Sequence, residues 1–186
     1  FLSNPIRAFA QGTAMKVLTY DEIRAQFIHE IGHESQYTAW PSVIAEVEDI
    51  FGGCETLITQ FLTIIKNYDY VPNDVTALDK NWLEQTLDCI RRDHMLGLRI
   101  LGLLLVESHR NVEENILLDA LIEFSNERGW QNPIDISELM IHKNLSGKDF
   151  SEVRKTLKEN VIDIDIQNRT CRLRVQIPRF FDWGFW

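Results

Sequence analysis

The chain has 186 residues, 45% of them hydrophobic, which is enough to bury a core in one or two domains. Its formal charge of −9 argues against wrapping nucleic acid through bulk electrostatics, so any nucleic-acid contact has to be local. Cys54, Cys89 and Cys171 are odd in number, widely spaced and in no C-x-x-C pair, which argues against a disulfide framework or a zinc knuckle and fits a reducing cytoplasm.

From Leu18 to about Leu105 the apolar period is helical. The first helix, "LTYDEIRAQFIHEI", opens with Thr19 as N-cap and Glu22 three residues on, the capping-box pattern, and carries Ile23, Phe27 and Ile31 as its buried stripe. It also contains His29-Glu30-Ile31-Gly32-His33, an H-E-x-x-H pattern. On a helix His29 and His33 lie one above the other and could share a zinc ion, with Glu30 as the base on its water and Glu46 or Glu48 as a third ligand. Both histidines lie off the buried stripe, and no strand precedes the helix to align a peptide substrate. The solvated face of a capped helix is therefore the favoured reading and a zinc peptidase the alternative.

A second helix follows in "TAWPSVIAEVEDIFGG", with Thr38 ahead of it, Pro41 in its first turn and Gly52-Gly53 as the stop. "CETLITQFLTIIKNY" is the third, with Leu57, Ile58, Phe61, Leu62 and Ile65 on one face. After a loop around Pro72 come two more, in "DKNWLEQTLDCIRRD" and "MLGLRILGLLLVES". The latter is interrupted by Arg99 and is short for a bilayer, so no membrane partner is expected.

Past "SHRN" three further helices are expected. They are "VEENILLDALIEFSNERG", ending at Gly129, the short "DISELMIHK", and "KDFSEVRKTLKEN" with Phe150, Val153 and Leu157 inward. The period then changes from 3.6 to 2: "IDIDIQNRTCRLRV" alternates on both sides of Asn168-Arg169. A two-residue turn there would place Asp165 opposite Arg172 and Asp163 opposite Arg174, with every apolar residue facing another. Three helices and a two-stranded hairpin make a winged helix. The expected fold is thus mainly α: a helical lid-like bundle over 1–107, then a winged-helix domain over 112–186 with an aromatic tail, "RFFDWGFW".

In a winged helix the last helix can enter a DNA groove, so Lys148, Arg154, Lys155 and Lys158, with Arg169 at the wing tip, are the candidate contacts to DNA or to a protein partner. Between Val112 and Trp186 there are ten Lys and Arg against thirteen Asp and Glu, a balance of −3 that favours a protein-facing role. The tail, with five aromatic residues in its last seven, is expected to pack within the molecule, because a small domain is short of core.

The order of these pieces resembles the C-terminal part of a P-loop ATPase of the AAA/STAND type, a helical lid followed by a winged helix. The resemblance rests on "SNPIRAF" at Ser3 to Phe9, "LTYDEI" at Leu18 to Ile23, "FGGCETLITQFL" from Phe51, and "CRLRVQIPRFFDW" from Cys171 to Trp183. It implies that the chain, which begins at Phe1, is a fragment or processed product of a longer protein whose ATPase core lies upstream and binds ATP or ADP with Mg. It also implies that Gly52, Gly53 and Cys54 form the lid turn near the nucleotide, although Cys54-Glu55 stands where the family often has a proline. No G-x-x-x-x-G-K-[ST] loop occurs, so this segment is expected to bind no nucleotide by itself and not to be catalytic alone. The expected role is that of a regulatory module which transmits nucleotide state to a protein or DNA partner, with a winged-helix DNA-binding regulator as a further alternative.

Overall fold

A computed structural model of the chain describes residues 16–32, 40–72, 78–101, 112–142, 144 and 162–182. The fold is mainly α, with a helical bundle followed by a winged-helix unit, as the sequence pattern predicts. The chain divides into two units, Leu104–Val175 forming the second and everything before it, together with Gln176–Trp186, the first.

In the first unit, α1 (Tyr20–Ile31) is fixed at its start by the capping box: the Glu22 amide donates to Thr19 Oγ1 and the Thr19 amide to the Glu22 carboxylate at 2.9 Å. Its buried residues are Ile23 and Phe27, and Ile31 is half-buried at the end of the same stripe. Helix α2 (Trp40–Phe51) buries Val43, Ile44, Val47, Ile50 and Phe51, and α3 (Glu55–Asn67) buries every apolar position expected of it. Asp79 caps α4 (Lys80–Arg92) through the Trp82 amide at 2.8 Å. Asp93 then breaks the chain and caps α5 (His94–Leu101) through the amides of Met95 and Leu96. No helix among the described residues is long and apolar enough to cross a membrane.

In the second unit α6 (Val112–Arg128) ends at Gly129, which takes the left-handed φ of 91° as a stop glycine does. Then come β1 (Ile134–Asp135), α7 (Ile136–His142), β2 (Ile162–Asp165) and β3 (Thr170–Leu173). The sheet is antiparallel with order β1-β3-β2. Strand β1 is an addition to the expected hairpin. Asp135, expected to open the short helix, ends the strand and caps α7, its carboxylate accepting from the amides of Ser137 and Glu138.

The hairpin differs from the expected register. Ile162 pairs with Leu173, Asp163 with Arg172, Ile164 with Cys171 and Asp165 with Thr170, so the loop is Ile166–Arg169 and has four residues, not two. Turn chemistry is the cause. The Asp165 carboxylate accepts from the amides of Gln167 (2.9 Å) and Asn168 (3.1 Å) and from Asn168 Nδ2, an Asx-type cap that closes the loop, and Arg169 takes a left-handed φ of 54°. Ile166, which a two-residue turn would have paired with Cys171, is exposed in the loop.

The tail packs within the molecule as expected, but not with the winged-helix unit. The chain from Gln176 leaves the winged helix and packs in the first unit, where Ile177, Phe180 and Phe181 are buried. Residues 183–186 lie outside the described residues.

Candidate functional site

Three regions carry the candidate residues. The first is the turn between α2 and α3. Gly52 and Gly53 both hold left-handed backbone, with φ of 58° and 67°, a conformation at which a side chain is strained. The segment Lys16–Leu18 runs across this turn. The Leu18 amide donates to the Gly53 carbonyl (2.7 Å), the Glu55 amide donates to the Lys16 carbonyl (3.1 Å), and Val17 bridges Cys54. A Cβ on Gly53 would lie 2.9 Å from the Leu18 carbonyl oxygen, so glycine is required by this crossing as well as by φ. Cys54 opens α3 and is buried without capping it through its side chain. Of the three residues expected near a nucleotide, Gly53 and Cys54 are therefore covered by the chain's own residues 16–18, and Gly52 is half-exposed.

The second is the H-E-x-x-H helix face. Glu30 bridges two partners: one carboxylate oxygen accepts from Lys66 Nζ on α3 at 3.0 Å, the other lies 2.9 Å from His29 Nδ1. The Lys66 ammonium first, and His29 second, hold the Glu30 carboxyl below its ordinary range. Its role here is a tie between α1 and α3. Glu46, a candidate third ligand, instead pairs with Lys80 at 3.1 Å and with Arg179 at 3.6 Å. His33 lies outside the described residues, and among those described no group of three His, Cys, Asp or Glu converges on a metal-sized space.

The third is the wing. Lys148, Arg154, Lys155 and Lys158, the candidate contacts on the helix expected before it, lie outside the described residues. Arg169 stands exposed in the loop, as expected, and its carbonyl accepts from the Ile136 amide at 3.0 Å, extending the β1-β3 ladder. Asp163 accepts from both neighbouring guanidinium groups: Arg172 Nε at 3.3 Å on one oxygen and Arg174 Nε at 3.0 Å on the other. Asp165, freed from Arg172 by the shifted register, is held below its ordinary range by the Asn168 and Gln167 hydrogen bonds of the loop. Burial pushes the Cys171 thiol on β3 up to about 12, so it behaves as core.

Two arginines outside every sequence motif also join elements. Arg128, at the end of α6, donates to both oxygens of Glu138 on α7 and lies 4.6 Å from the centre of the Phe124 ring, so one side chain ties the first two helices of the winged unit. Arg179 in the tail pairs with Glu84 on α4 as well as with Glu46 on α2. Arg179 is distant in sequence from both partners, and only the fold brings them together.

Comparison with protein-family models, with curated proteins and with solved structures returns no match.

Proposed function

We propose that this chain is the lid and winged-helix module of a larger AAA/STAND-type ATPase, relaying the nucleotide state of an upstream core to a protein partner. The observation that carries the reading is the succession of elements: a capped helical bundle, then a unit running helix, strand, helix, strand, wing, strand with sheet order β1-β3-β2. With the third helix expected in "KDFSEVRKTLKEN", which lies outside the described residues, that order is the winged-helix one, and it follows the bundle as the resemblance in sequence implies. The crossing of residues 16–18 over the Gly52-Gly53 turn supplies a hydrogen-bonded attachment by which a preceding domain could move the bundle as a body. ATP or ADP and Mg would belong to that upstream core.

A protein partner is favoured over DNA by the state of the wing. Arg172 and Arg174 are both engaged by Asp163, which offsets one of their two charges, in a chain whose net charge is −9. A phosphate-binding face needs uncommitted cations.

The coding sequence ahead of Phe1 tests the reading: a G-x-x-x-x-G-K-[ST] loop in the same frame is expected, and a frame that opens without one overturns it. The choice of partner is tested by gel retardation with a random duplex pool at physiological salt. No retardation is expected, and binding at submicromolar concentration would replace the protein reading with the DNA one.

A further inference from the structure

We draw no further inference here: the strongest candidate, the groove of about 360 Å³ between α1 and α3 that Ala25, Gln26, His29, Glu30, Thr59 and Leu62 line, carries nothing, because the Gln26 amide oxygen that lacks a hydrogen-bond partner is itself buried and nothing in the structure shows what would cover the groove.

Discussion

Phe180→Ala is the sharpest test of where the tail belongs. Phe180 has no exposed surface, and its ring lies 5.1 Å from that of Phe51, which in turn lies 5.2 Å from Phe61. Truncation removes a full aromatic side chain from the end of that row. A buried Phe→Ala change costs about 3–5 kcal/mol, with the lost ring pair included in that figure. The loss cannot exceed the free energy with which the tail from Gln176 packs on the first unit, because a tail that no longer packs has nothing more to lose. Expressed as hydrogen exchange, about 3–5 kcal/mol is a fall of roughly two to three and a half powers of ten in the protection of globally exchanging amides. The assay is native-state exchange resolved by peptide. The fall is expected in peptides of α2 and α3, which share the Phe51 and Phe61 rings. A loss below about 1 kcal/mol there would show that the tail is not docked as described. A loss confined to peptides of β2 and β3 would place it with the winged helix and refute the division of the chain at Val175.

Thr19→Ala removes the hydroxyl that accepts from the Glu22 amide; a cost of about 1 kcal/mol and a drop of about 2–4 °C in melting temperature are expected, and no change would show that the cap is idle. Asp163→Ala leaves Arg172 and Arg174 without their shared acceptor and should cost about 1–2 kcal/mol, against less than about 1 kcal/mol for Asp165→Ala, which loses only the turn cap; equal losses in denaturant titrations would favour a two-residue turn. The depressed carboxyls fix the direction of pH dependence. Glu22, lowered from 4.5 to about 2 chiefly by Lys16 and then by the Thr19 hydrogen bonds, binds its proton more weakly when folded. Its contribution is therefore complete above its unfolded value and is lost as pH falls from 4.5 towards 2. Glu30, Asp135, Glu138 and Asp165 are lowered too and act in the same direction. Melting temperature should thus fall steadily with acid from about pH 5 to pH 3, and a flat or rising profile in scanning calorimetry would contradict these pairings.

Much of the helical unit was legible because burial and capping act within one or two turns. Thr19 with Glu22, and the positions Leu57, Ile58, Phe61, Leu62 and Ile65, declare themselves by spacing alone, and the structure uses them as spaced. What was not legible is what depends on residues far apart. Ile134-Asp135 is too short to display a period of two and becomes a strand only because β3 offers it an edge. Glu30 spells a zinc motif with its neighbours, yet its chemistry is set by Lys66, thirty-six residues on. The aromatic tail announced that it would be buried but not where, since a row of phenylalanines fits any groove of the right width. Gly97, a glycine in a leucine-rich helix, marks the close approach of Phe180 and Phe181, but the approaching segment lies more than eighty residues away, beyond the reach of local spacing.

The wing shows why agreement of a pattern with itself is weak support for a register. Side chains alternate with a period of two, so sliding one strand past the other by two residues keeps every apolar residue opposite an apolar one and every acid opposite a base or a turn. The expected pairing of Asp165 with Arg172 and the observed pairing of Asp163 with Arg172 satisfy the alternation equally. The difference lies in the loop, where Asp165 can either meet a guanidinium across the strands or turn back to accept three hydrogen bonds from Gln167 and Asn168. The second choice satisfies two loop amides that a turn would otherwise leave to solvent, and it costs no ion pair, because Asp163 has two oxygens and serves both Arg172 and Arg174. One carboxylate thus does the work expected of two. The same economy leaves Arg169 as the basic side chain that the loop itself presents, so a partner that reads the wing would meet Ile166 and Arg169 at its tip in place of a row of arginines.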